Sequence, residues 1–147
     1  MRNTLMIVTC SAALGSAVCG SSSDLNTVVP VGLATGPSEF GDILVDGEGR
    51  TLYFLLTDRQ SESTCVNECE TIWTSFRQED LGSLGSSVGA DFVGSITRTD
   101  GLVQVTYNGW PLYLYRDDEA PGDMNGHGAL NAWFALGPNS GAVGVTE

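Results

Sequence analysis

Seven residues return along this chain at one fixed spacing of sixty. Gly41, Val45, Gly49, Leu52, Tyr53, Asp58 and Trp73 reappear as Gly101, Val105, Gly109, Leu112, Tyr113, Asp118 and Trp133, with no gap needed between the copies. Ile43 and Val103, and Phe76 and Leu136, match in kind. Internal duplication decides architecture before any local reading does. Two like units, about 41–78 and 101–138, are expected to pack as pseudo-symmetric halves around one core, in a secreted domain spanning 36–138. A single unique catalytic constellation is disfavoured, and specialised chemistry would have to sit where the copies differ.

The first residues stand apart from this domain. Met1 to Val18 carries one positive charge, Arg2, then an apolar stretch with Leu5, Met6, Ile7, Val8 and Leu14, then small residues. That is the form of a secretory signal over 1–18, too short for a membrane span. Cys19 follows, with Gly20-Ser21-Ser22-Ser23-Asp24 behind it. A cysteine in that place looks like a lipoprotein start, in which the thiol is acylated and a flexible stretch lifts the domain off the membrane. The alternative is ordinary cleavage after Ala17. On the first reading, Cys19 anchors the protein to the membrane and 19–35 serves as tether and lead-in. Residues 139–147 read as a tail.

Charge narrows the partners. Eighteen acidic residues face six basic ones, for a net charge of −12. Removing Arg2 with the signal leaves −12 − 1 = −13. Nucleic acid and anionic lipid surfaces both require a basic footprint, so neither is expected as an electrostatic partner. An unknown envelope protein or a small ligand fits better.

Each copy opens with extended runs. Asp42 to Asp46 meets the turn Gly47-Glu48-Gly49 and continues as Thr51 to Thr57; Leu102 to Tyr107 meets Asn108-Gly109 and continues as Leu112 to Tyr115. Asn-Gly between β-rich runs is a strong hairpin signal. Phe92 to Thr97 reads as a further strand, hairpinned through Thr99-Asp100-Gly101. Asp58 and Asp118 end the strands and should cap the following loops through backbone N–H groups. After the first hairpin, Ser63-Thr64 and the apolar positions Val66, Cys69, Ile72 and Trp73 predict a helix of two or three turns. The matching stretch of the second copy, Pro121 to Gly128, is glycine-rich and reads as a loop, and Leu81 to Ala90 as an exposed connection. The fold class is mostly β: two pseudo-symmetric hairpin repeats forming one compact domain, with a short helix after the first hairpin. Trp73 and Trp133 should cover its core edges, and Trp110, beside the turn, should be the most exposed aromatic.

Cys65 and Cys69 form a C-x-x-x-C pair in an oxidising, exported setting. A small structural disulfide is one reading, although four residues of regular helix put the Cα atoms near the upper limit for a bridge. Another is a Cu(I) site, because soft thiolates suit that ion, with Met124 and His127 as further ligands. A dithiol redox pair is a third. The loop Asp117 to Gly126 is rich in the hard oxygens that Ca²⁺ prefers, without EF-hand spacing. His127, the sole histidine, has no nucleophile or paired motif around it and reads as a solvent-facing loop residue. No catalytic residue can be named, so the expectation is a non-enzymatic protein without a required cofactor.

Together these residues resemble a known family. Tyr113-Leu114-Tyr115-Arg116-Asp117-Asp118 follows a Y-x-(F/W/Y)-x-x-D pattern, and Tyr53 to Asp58 follows it with Leu55 at the central aromatic place. Gly49 to Tyr53, the run from Ser63 through Cys65 and Cys69 to Trp73, Val105 to Tyr113, and Pro121-Gly122-Asp123 complete the likeness. The chain is similar to bacterial secreted-repeat lipoproteins of unknown function over about Gly41 to Pro138. Where that pattern carries W-P-P, this chain has Trp73-Thr74-Ser75. The resemblance implies a cell-envelope location, lipid-anchored or periplasmic/extracellular, with no established activity. The functional expectation is a tethered binding or structural protein, with a copper or redox accessory protein using Cys65 and Cys69 as the alternative.

Overall fold

The computed structural model describes residues 29–58 and 60–144. The export segment, Cys19, most of the lead-in and the last three residues lie outside the described residues. Among the described residues, ten strands form three small sheets. Each copy supplies a long hairpin: β1 (Val31–Ser38) with β2 (Gly41–Asp46), and β6 (Val93–Thr97) with β7 (Val103–Tyr107). Each also sends two short strands to a shared central sheet. These are β3 (Leu52–Leu55) and β4 (Trp73–Ser75) from the first copy, β9 (Tyr113–Tyr115) and β10 (Trp133–Ala135) from the second.

The order of that sheet is β10-β3-β9-β4, so every neighbouring pair joins one copy to the other. A pseudo-twofold passes between β3 and β9, where Leu52 faces Leu114 and Tyr53 faces Tyr113. The flanking registers obey it: Trp73 opposes Tyr115, and Trp133 opposes Leu55. So do the bonds beyond the strand ends, Leu56 N–H to the Ala132 carbonyl and Arg116 N–H to the Ile72 carbonyl. Because strand side chains alternate faces, the central sheet divides the interior in two. Leu52, Phe54, Leu112 and Leu136 pack with Leu33, Leu44, Val105 and Tyr107. Tyr53, Leu55, Tyr113, Trp73, Trp133 and Ala135 pack with Ile43, Val45 and Cys65 on the other side.

Several sequence expectations meet different outcomes. The Asn108-Gly109 hairpin forms with both residues at positive φ, and Tyr107 opposes Trp110 in β8 (Trp110–Pro111). The turn after Asp46 also closes, with Gly49 N–H on the Asp46 carbonyl. It does not make a two-stranded hairpin, however, because both edges of β3 are taken by β9 and β10; only the Val45–Thr51 bridge remains. The predicted helix is absent. Asn67–Thr71 forms a single 3₁₀ turn without a side-chain cap, with Asn67 at φ +56°. Its would-be capping hydroxyls, Ser63 and Thr64, bond to Tyr113 and Asp58 instead. β1 already runs from Val31 and buries Leu33. The 81–90 connection contributes β5 (Ser83–Leu84), parallel to β1, and buries Val88. Among the described residues, no helix is long and apolar enough to cross a membrane.

Candidate functional site

The repeated tyrosines and aspartates meet across the pseudo-twofold. Tyr53 donates its hydroxyl to Asp118 Oδ2 at 2.6 Å, and Tyr113 donates to Asp58 Oδ2 at 2.6 Å. Each aspartate spends its other oxygen on its own loop, Asp58 accepting from Thr64 N–H and Asp118 from Asn125 N–H, both at 2.9 Å. The aspartates thus cap their loops as the sequence predicts, and in addition the tyrosines are exchanged between the copies. Each loop also returns a contact to the opposite tyrosine: Gly126 N–H donates to the Tyr53 oxygen, and Ser63 Oγ lies 2.6 Å from that of Tyr113. Burial raises both tyrosine pKa values well above the ordinary range, with the facing carboxylate adding to it. Burial likewise raises the Asp118 carboxyl, against the Tyr53 hydrogen bond. The two tyrosines are thereby moved further from neutral pH, where Brønsted efficiency needs a pKa close to it.

Trp73 and Trp133 do not cap separate core edges. Their rings stack on one another, 3.9 Å apart and within 2° of parallel, with Tyr53 edge-on to Trp73 and Tyr113 edge-on to Trp133. Tyr115 packs on the outer side of Trp73 at 4.3 Å. Gly126 runs directly over this stack. A Cβ there would lie 2.5 Å from Trp73 Cη2, so only glycine lets the second loop reach Tyr53.

Cys65 and Cys69 are joined as a disulfide, with Cα atoms 5.2 Å apart, a separation the tightened 3₁₀ turn allows. Beside it lies a cluster that inspection of the sequence missed. Arg98 has no exposed side-chain surface and places all five of its N–H donors. They reach Asp100, Ser63 Oγ, Gln104 Oε1, the Cys65 carbonyl and Glu70 Oε2 at 2.8–3.2 Å. Gln104 continues to the Leu112 carbonyl, and Glu70 accepts from Ser75. A lone arginine in a polar strand-turn segment carries no signal that it folds inward. Its only clue is that the first copy has Ser38 at the matching place.

The remaining candidates are drawn into packing. Met124 lies against the cluster containing Cys65, Trp73 and Trp133. His127 is not a solvent-facing loop residue: its ring stacks on Phe40, meets Phe134 edge-on, and Nδ1 accepts the Ala135 N–H at 3.2 Å. Burial lowers its pKa, partly opposed by the charge of Glu39. Asp123 Oδ2 accepts from the N–H groups of Glu119 and Ala120, so it closes its own turn. Both thiols are bridged and His127 Nδ1 accepts the Ala135 N–H, so these groups are not held as free ligands in this structure. Among the described residues no group of three or more His, Cys, Asp or Glu side chains could hold an ion. Trp110 is half-buried, 4.9 Å from Phe54, because the hairpin folds back onto the core instead of standing free.

Concavity appears on the opposite face of the central sheet. Near β4 that face is incompletely covered, and a cleft of about 530 Å³ opens over Leu114 and Phe76, beneath the β2–β3 turn. It shares Arg50, Glu79, Asp80 and Leu114 with an adjoining hollow of about 400 Å³ that extends to Thr74, Tyr115 and Arg116. Arg50 is held in place by Asp46 at 2.7 Å.

Comparison with known proteins bears on both copies. A family model described as a secreted repeat of unknown function matches residues 35–76 and again 94–136. Each match begins within the first strand of a long hairpin and runs through its second strand and the loop behind it to the tryptophan strand. No curated protein and no solved structure matches.

Proposed function

The chain belongs to this family of secreted repeats, and on that footing we propose that it is a membrane-tethered binding module of the cell envelope that acts without catalysis or a required cofactor. The coarser part of this, an exported repeat protein, follows from membership. One observation supports the non-catalytic reading: among the described residues, the reactive side chains are paired with one another inside the fold. Tyr53 is spent on Asp118, Tyr113 on Asp58, Cys65 on Cys69, and Arg98 on Glu70. Among the hollows of the described residues, the cleft beside β4 is backed by the central sheet, and a concavity of that kind is the usual form of a recognition site. The tether is the acylated Cys19, with the serine-rich stretch behind it as spacer.

Protein isolated from its own envelope tests this reading. The expected result is a diacylglyceryl mass on Cys19 and no thiol at 65 or 69 titrating without reductant. An unmodified N-terminus at Val18 would remove the tether. Free thiols at both positions that retain Cu(I) would replace the binding module with the copper accessory protein.

A further inference from the structure

The described part of the chain holds four arginines and no lysine, and their placement is uneven. Arg98 is buried; the other three, Arg50, Arg77 and Arg116, all line the continuous cleft beside β4. In a protein of net charge −12, gathering every solvent-reaching cation of the described residues around one concavity is not what a uniformly solvated surface would give. The acidic residues sort in a complementary way. Asp46 and Asp118 are buried and committed, Asp46 to Arg50 and Asp118 to Tyr53 and the Asn125 N–H. Glu48, Glu79 and Asp80 remain exposed along the rim. Three exposed carboxylates thus stand beside three solvent-reaching guanidiniums, with Glu48 paired to Arg50 at 3.2 Å and Glu79 to Arg77 at 3.7 Å. They are not mixed evenly: of these two hollows Glu48 lines the larger and not the smaller, whereas Arg77 and Arg116 line the smaller and not the larger, with Glu79 and Asp80 common to both.

We propose that this cleft binds a small dipolar ligand of the amino-acid or short-peptide class. Its carboxylate lies at the Arg77–Arg116 end, its ammonium group faces Glu48, and its apolar body lies over Leu114. The inference rests on the binding reading above and names the ligand chemistry of that site. The arginines suit the role because they are only loosely engaged. Arg116 meets Asp117 at 3.4 Å and Arg77 meets Glu79 at 3.7 Å, both in solvent. Exposed pairs of that kind contribute little. Either guanidinium can therefore exchange its partner for a bidentate grip on a ligand carboxylate. Arg50, fixed by Asp46, sits where the two hollows join and gives the cleft a preorganised centre. The arginines outweigh the exposed acids at the smaller hollow, and the exposed acids outweigh the single Arg50 at the larger one, so a molecule carrying both charges at separated ends can place each nearer its opposite.

The test is an NMR titration of the mature protein with trialanine, N-acetyl-trialanine, trialanine amide, inorganic phosphate and a neutral trisaccharide. Trialanine is expected to shift the amides of Thr74, Leu114 and Tyr115 saturably. Blocking either terminus should weaken it about three- to fivefold, the scale of one partly exposed ion pair. Arg116→Gln should weaken trialanine to the same extent yet leave the amide-capped peptide unchanged. Equal affinity for free and blocked peptides, or indifference of trialanine to Arg116→Gln, would overturn the proposal. Shifts at these amides with phosphate or trisaccharide but not with trialanine would sink the dipolar ligand and leave the binding module standing. Silence from every probe would sink both.

Discussion

The two copies hold the same position by different means. In the first, the loop between β3 and β4 is closed by a disulfide and pinned by a buried guanidinium that reaches the Cys65 carbonyl and Glu70. In the second, the loop between β9 and β10 has neither. Asn125 and Leu130 stand where Cys65 and Glu70 would be, and Ser38 where Arg98 would be. That loop is fixed by Asp123 and Asp118 accepting backbone N–H groups, by glycine over Trp73, and by the His127 ring between Phe40 and Phe134. What the copies share is what crosses the pseudo-twofold: the tyrosine–aspartate bonds, the tryptophan stack and the alternating strands. Shared residues build the junction, and divergent ones settle each loop locally.

Removing the buried cation would break this contrast most sharply. Arg98→Met leaves Glu70 and Gln104 without their partner in the interior and should cost about 3–5 kcal/mol, the range for breaking a buried ion pair from one side. Its counterpart Ser38→Ala should cost about 1 kcal/mol or less, since Ser38 bonds only within its own turn. Urea denaturation of both variants measures the asymmetry; similar losses would deny it.

Next in size are the crossed hydroxyls. Tyr53→Phe and Tyr113→Phe should each lose about 1.5–3 kcal/mol, as for hydrogen bonds to charged groups, and by nearly equal amounts. A marked difference between them would mean that the junction is not symmetric in energy. The disulfide should matter somewhat less. Replacing Cys65 and Cys69 by alanine should cost about 2 kcal/mol, the chain-entropy value for a five-residue loop. Hydrogen exchange should quicken over residues 65–72 and stay unchanged over 118–128. The smallest effect concerns pH. A histidine whose folded pKa lies below its unfolded value of about 6.5 binds protons less readily when folded, so stability falls as pH drops below that value. His127→Gln should flatten this part of the stability profile between pH 7 and 5, and an unchanged slope would place the titration elsewhere.

Much of the fold could be read before any coordinates. Asn108-Gly109 announces its hairpin because a type I′ turn is a local matter of positive φ. Asp58 and Asp118 announce loop caps for the same reason. The interleaved order β10-β3-β9-β4 could not be read. Alternation of Leu52, Tyr53 and Phe54 tells which side chains share a face but not which strand lies beside them. β1 was obscured by Pro30, Gly32, Gly36 and Pro37, residues that ordinarily interrupt strands. At Gly32 the reason for glycine is close approach of another backbone: a Cβ there would sit 2.0 Å from the Leu81 carbonyl oxygen. The C-x-x-x-C spacing favours a disulfide while admitting a metal or redox pair, and the structure has the bridge across a tightened turn. Arg98 and the cleft depend on contacts distant in sequence, which no local pattern encodes.

Folding of the separated halves tests the account most directly, because each central strand pairs only with strands of the other copy. Residues 29–87 and 88–144, expressed apart, should each lack a cooperative unfolding transition as monomers. Mixing them should restore the native near-ultraviolet signal of the stacked tryptophans. Either half folding alone as a stable monomer with its own cooperative transition would contradict the shared interior.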